Sequence, residues 1–187
     1  MGQIVSGMFE AEAFQIAMLG LDGAGKSTIL RHLKQNSEGI DDGPTVGFNS
    51  EKFRCTRANG KTQVSVFWDV GGQEKLRALW KMYVRKADAL VYVVDSADDA
   101  RLDENKYEIA ALFRDDTVPA KIPIVLMLNK KDLPRKFEEE AILQCLELNK
   151  WGRSITVINC CAVSGEGLEN FIHRMTLMIS DSKKHRK

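Results

Sequence analysis

Residues 14–35 read FQIAMLGLDGAGKSTILRHLKQ, and the order of that stretch decides the fold. Phe14–Gly20 is an apolar run of strand character, and Lys26–Gln35 reads as a helix. Between them, Gly20-Leu21-Asp22-Gly23-Ala24-Gly25-Lys26-Ser27 matches the pattern G-x-x-x-x-G-K-[ST], with Thr28 next in line. The spacing has a physical reason. Glycines let the backbone curl so that its N–H groups point into one concavity. The N-terminus of the following helix adds partial positive charge there. A lysine in that place neutralises β- and γ-phosphates, and the Ser27 hydroxyl is suited to Mg²⁺. The competing reading is a chance glycine-rich turn, which the strand-loop-helix context disfavours. This element by itself does not separate ATP from GTP, or an enzyme from a binder.

Working outward, apolar runs alternate with helix-period stretches, the pattern of an α/β fold with helices on both faces of a mostly parallel sheet of about six strands. Phe48–Cys55 and Thr62–Asp69 alternate apolar and polar residues, and Asn59-Gly60 between them predicts one antiparallel edge hairpin. Ala89–Asp95 and Ile122–Asn129 are continuous apolar runs, expected of central strands buried on both faces, and Ile155–Cys160 is a sixth candidate. Helices are expected near Arg101–Phe113, Glu138–Leu148 and Gly167–Ser180. Residues 1–13 and 181–187 read as tails around one domain spanning 14–180.

The chain has 187 residues, with 27 Lys+Arg against 26 Asp+Glu and a formal net charge of +1. That balance argues against nucleic-acid binding, which needs a clustered cationic face. No apolar run reaches the roughly 20 residues that span a bilayer. Cys55, Cys145, Cys160 and Cys161 form no C-x-x-C pair and have no His at zinc-ligand spacing, so reduced thiols in a cytoplasmic protein are expected.

Four further segments speak to which nucleotide binds and how it is sensed. Asn129-Lys130-Lys131-Asp132 ends a buried strand, where nucleotides bind in parallel sheets. The Asp132 carboxylate only accepts hydrogen bonds, so it suits the two N–H groups of a guanine edge and is left unpaired by adenine. Asn129 is placed either to meet the base or to brace the loops, and the Lys130 stem to lie across the base face. In Cys161-Ala162-Val163 the Ala162 N–H is a candidate donor to guanine O6. Asp69-Val70-Gly71-Gly72-Gln73-Glu74 follows the third strand. Here Asp69 is a candidate for holding Mg²⁺ through water, Gly72 for close approach to a γ-phosphate, and Gln73 for orienting the attacking water. Thr45, in a polar segment after the first helix, is a candidate to complete the Mg²⁺ shell; the alternative is a turn residue after Pro44.

Taken together, GLDGAGKST (Gly20–Thr28), PTVGFN (Pro44–Asn49), WDVGGQEKLR (Trp68–Arg77), VYVVDS (Val91–Ser96), NKKDLP (Asn129–Pro134) and CAVSGEGL (Cys161–Leu168) resemble the Arf and Arf-like small GTPases over residues 14–180. The resemblance implies a P-loop GTPase fold and a GTP/GDP switch with Mg²⁺. It implies an exchange factor, a GTPase-activating protein and an effector as partners of a monomeric chain. It also implies membrane trafficking or signalling as the setting. Phe48, Trp68 and Tyr83 resemble the family's apolar effector patch, though packing against the sheet is an equal reading for each. The segment near Thr45 and the segment Val70–Tyr83 would order with GTP, and the hairpin Phe48–Asp69 would shift register. No arginine offers itself in cis, so slow hydrolysis and a partner's arginine are expected. Arg77, Arg85, Arg101 and Arg114 show no clustering of the kind a kinase lid needs, and N-K-x-D argues against an ATP-using kinase. A module that holds GTP without useful turnover is the remaining alternative.

The tails concern membranes. Met1-Gly2-Gln3-Ile4-Val5-Ser6 fits the N-myristoylation pattern at Gly2. One myristoyl chain binds membranes marginally, so the expectation is a protein cycling on and off a membrane surface. Ahead of the first strand only Ile4, Val5, Met8 and Phe9 are candidate anchors, and Glu10 and Glu12 oppose an anionic surface, a departure from the Arf pattern. Lys183, Lys184, Arg186 and Lys187 make the C-terminal end basic.

Overall fold

The structure is a computed structural model and describes residues 13–35, 49–56, 60–134 and 136–184. Gly2, Thr45, Phe48 and Asn59 therefore lie outside the described residues. Six strands form one sheet: β1 (Phe14–Leu19), β2 (Asn49–Thr56), β3 (Thr62–Asp69), β4 (Ala89–Asp95), β5 (Ile124–Asn129) and β6 (Ile155–Asn159). Their order is β2-β3-β1-β4-β5-β6. The β2–β3 pair is antiparallel, from Asn49 opposite Asp69 to Thr56 opposite Thr62, and Gly60 near the turn has φ +74°. All other pairings are parallel, so the carboxyl ends of β1, β3, β4, β5 and β6 share one edge.

The helices are α1 (Lys26–Gln35), α2 (Glu74–Arg77), α3 (Trp80–Arg85), α4 (Leu102–Phe113), α5 (Glu139–Cys145) and α6 (Phe171–Lys184). They cover both faces, and the strand residues divide accordingly. On β1, Ile16 and Met18 join a core with Ile29, Phe67, Phe171, Met175 and Ile179. Ala17 and Leu19 join the opposite core with Trp80, Val84, Tyr92, Ile109 and Ile142. This is the two-residue alternation of a sheet buried on both sides. Phe67 ties the first core together: its ring meets Phe53 edge-on at 5.3 Å and Phe171 at 6.1 Å.

Departures from the sequence expectation have local causes. Strand β5 starts at Ile124 rather than Ile122, after Pro123, which has no N–H for a ladder. Helix α5 stops at Cys145 because Glu147 takes a left-handed conformation (φ 51°) and a 3₁₀ turn, Leu148–Trp151, follows. Helix α6 begins four residues late, since Gly165, Gly167 and Asn170 all have positive φ, and it runs on to Lys184. Lys183 and Lys184, read from sequence as tail, thus occupy the last helical turn, where cations meet the negative end of the helix dipole. Lys183 also pairs with Asp88 at 2.8 Å. Helices α2 and α3 were not expected at all; both are short, below the length that periodicity resolves. No helix among the described residues is long and apolar enough to cross a membrane.

Replacing Phe67 with Ala should lower the unfolding free energy by about 3–5 kcal/mol in urea titration. A loss below about 1 kcal/mol would mean that this ring does not join the two aromatic partners into one core.

Candidate functional site

The loop after β1 sits at the carboxyl edge of the sheet and runs directly into α1. Gly23 and Gly25 hold φ +74° and +97°, a curl that other residues rarely adopt. Lys26 folds back beneath the loop, its Nζ donating to Gly20 O at 2.8 Å and Leu21 O at 3.0 Å. It is 7% exposed. Burial pulls its pKa down, while Asp69 and Asp22 act to hold the proton on. A buried ammonium beneath a glycine-rich curl of backbone has the charge and setting that suit an anion.

Beside it, Ser27 Oγ donates to Asp69 Oδ2. Asp69 is 9% exposed, and burial pushes its carboxyl up against the opposing pull of the Ser27 hydrogen bond and the Lys26 charge. A desolvated carboxylate touching a hydroxyl is a pair of hard oxygens, the donor type that Mg²⁺ takes. Among the described residues no three His, Cys, Asp or Glu side chains converge on a metal.

Asn129 decides how the loops register. It is 1% exposed, its Nδ2 donates to Ala24 O at 2.8 Å, and its Oδ1 accepts the Ala162 N–H at 3.0 Å. Of the two readings left open by sequence, bracing is the one seen. The Ala162 N–H, expected to face guanine O6, is here donated to Asn129. A Cβ on Gly25 would lie 2.2 Å from Asn129 Nδ2, so glycine is required there for the brace to form. Lys130 takes φ 65° and pairs with Asp95, and Lys131 N donates to Cys160 O at 3.2 Å. Asp132 and Val163 are exposed at the mouth of this double loop, whereas Cys161 and Ala162 are buried. The neighbouring Cys160 thiol is pushed up to about 12 by burial, an inert packing group.

The segment after β3 crosses the phosphate loop at contact distance. A Cβ on Gly72 would fall 2.3 Å from Asp22 N and Leu21 C and 2.4 Å from Gly20 O, so only glycine fits. Gln73 is exposed and precedes α2 in an extended conformation (φ −62°, ψ 142°). Trp68 and Tyr83 are half-buried with rings 6.0 Å apart, and Trp68 Nε1 donates to Gln15 Oε1 at 2.8 Å.

One expectation is corrected. Arg77 and Arg101 do come together, on the carboxylates of Asp22 and Glu104. Arg101 Nη1 donates to Asp22 O at 3.0 Å and its Nη2 to Asp22 Oδ1 at 2.9 Å. The Arg101 guanidinium beside Asp22 holds that carboxyl below its usual range. An arginine thus lies on the phosphate loop in cis, engaged by acids. The available signal was Asp22 itself, since an acid inside an anion-binding loop calls for a cation nearby.

The ADP-ribosylation factor family model matches residues 1–179. Human ADP-ribosylation factor-like protein 4C is 40% identical over 186 residues, 98% of this chain and 96% of that protein. Human ADP-ribosylation factor-like protein 4A is 39% identical over 183 residues, 97% of this chain and 90% of that one. The solved Arl6 BBS3 small GTPase from Trypanosoma brucei, with bound nucleotide analogue GppNp, superimposes with a TM-score of 0.75 at 27% identity. That match covers 91% of this chain and 99% of the other. On the family match and these relatives, the chain belongs to the ADP-ribosylation factor family, small GTPases that bind GTP and GDP with Mg²⁺.

Proposed function

We infer that the protein is a GTP/GDP switch with slow intrinsic hydrolysis that a GTPase-activating protein accelerates, acting in membrane trafficking or signalling. The observation that carries this reading is the seating of Gly72 on the backbone of Gly20–Asp22. A third phosphate added above that loop must be accommodated by Gly72 and by everything chained to it, which is how an occupant is converted into a shape.

The roles divide as follows. Gly20–Thr28 cradle the phosphates, and Lys26 offsets their charge. Asp132 selects guanine, with Asn129 bracing the loops around it, Lys130 on the base face and Cys161–Val163 closing the far side. Ser27, Asp69 through water, and Thr45 would hold Mg²⁺, which supplies charge neutralisation to the β- and γ-phosphates. Gln73 orients the attacking water, and its exposure leaves it within a partner's reach. Arg101 is bound to Asp22 and Glu104, which supports dependence on an arginine from outside. An exchange factor would reset the cycle. Phe48, Trp68 and Tyr83 would meet the effector, and myristoyl-Gly2 on a monomer would bring the switch to a membrane surface.

Chromatography of nucleotide released from the purified protein should show guanosine di- or triphosphate; adenine nucleotide in its place would overturn the reading. Ser27→Asn should weaken Mg²⁺-dependent GTP binding by about tenfold or more, and unchanged GTP affinity would remove Ser27 from the site. Gln73→Leu should cut GAP-stimulated single-turnover hydrolysis by about a hundredfold or more while GTP stays bound. Equal GAP-stimulated turnover in mutant and wild type would reject that role for Gln73; no turnover in the wild type with or without a GAP would leave the alternative, a GTP-holding module.

A further inference from the structure

Two side chains, Arg77 and Trp80, meet on the segment that contacts the phosphate loop, and two acids of α4 hold Arg77. The Arg77 side chain is 8% exposed, and a cation held this far from water is costly unless its donors are matched. Here Nε donates to Gly72 O at 2.9 Å, Nη1 to Glu108 at 3.0 Å, and Nη2 to Glu104 at 2.7 Å. Trp80 is 1% exposed, and its Nε1 donates to Gly71 O at 2.9 Å. Its ring is wedged edge-to-face on Tyr92 at 6.0 Å, and Tyr92 OH donates to Asn105 on α4 at 3.2 Å.

Two successive carbonyls are therefore held, Gly71 O by Trp80 and Gly72 O by Arg77. In a trans peptide the C=O and the following N–H point opposite ways. Holding Gly71 O thus aims the Gly72 N–H, and holding Gly72 O aims the Gln73 N–H, away from the side chains that grip them. The geometry points to Arg77 and Trp80 as positioning residues that orient the Gly71–Gly72 dipeptide to receive a γ-phosphate, with Glu104 and Glu108 of α4 anchoring Arg77. This rests on the reading of the site as a triphosphate sensor. A diphosphate ends short of Gly72, so the clamp discriminates between the two nucleotides and does not merely support the fold. Glu104 also binds Arg101, which grips Asp22, so α4 holds the sensor and the phosphate loop through one carboxylate.

The test compares dissociation constants of the full chain for GDP and for a non-hydrolysable GTP analogue, by displacement of a fluorescent nucleotide with Mg²⁺ present. Arg77→Ala should raise the ratio of analogue to GDP constants by about tenfold or more, because a charge-assisted bond to the sensor peptide is lost. Arg77→Lys keeps one charge without the fork and should fall between. Trp80→Phe keeps the packed ring and loses the donor; it should raise the ratio by about threefold or more. Glu108→Gln should shift the ratio in the same direction, and Lys81→Ala on α3 should not. Equal weakening of both nucleotides, or a ratio unchanged in Arg77→Ala and Trp80→Phe, would reduce the clamp to a structural role and overturn the proposal. Failure of the wild-type protein to bind either nucleotide would overturn the switch reading itself, and the clamp with it.

Discussion

The Lys26 ammonium lies beneath the loop to which it belongs, bonded to the carbonyls of Gly20 and Leu21, and the neighbouring charges are disposed around it. A buried cation beside a concave row of amides is stable only with anions at hand. Asp69 supplies one from β3, itself desolvated and leaning on Ser27. Asp22 supplies a second from within the loop, and Arg101 and Arg77 balance it in turn. Charge of alternating sign thus runs from the floor of the site outward to α4. Each link depends on its neighbours, so a phosphate entering the loop acts on a connected system.

That system works because the sheet is rigid and its strands run in parallel. Strands β1, β3 and β5 end at one edge, which brings together Lys26 at the start of α1, Asp69 at the end of β3 and Asn129 at the end of β5. Asn129 joins two of these loops across the edge, from Ala24 to Ala162. The contact between Gly72 and Gly20–Asp22 is tight enough that a methyl group would not fit. In a close-packed interior such a contact does not deform gradually; it is kept or it is broken.

Much of the fold was legible because periodicity reports burial. The continuous apolar runs at β4 and β5 and the Asn59-Gly60 turn signal led to buried central strands and an antiparallel edge pair. The boundaries that shifted did so for backbone reasons invisible to periodicity: left-handed residues at Glu147 and Asn170, and a proline at 123. The short helices α2 and α3 escaped for lack of length. Within the site, the motifs revealed which residue types gather, because phosphate and guanine chemistry dictate spacing along one chain.

By itself the amino-acid order determined the phosphate loop, the guanine-side loops and the alternating architecture that brings them to one edge, since each is a local pattern with a local cause. Only the tertiary structure decided that Asn129 braces two loops, that Arg77 and Arg101 share the carboxylates of Asp22 and Glu104, and that Trp80 and Arg77 grip consecutive carbonyls. The bridges from Asn129 and from the arginines to Asp22 join residues tens of positions apart, and even the nearer contacts, such as Arg77 to Gly72, depend on the packing around them. Their partners are chosen by packing and by the cost of burying an unpaired charge, and neither is written in any short stretch of the chain.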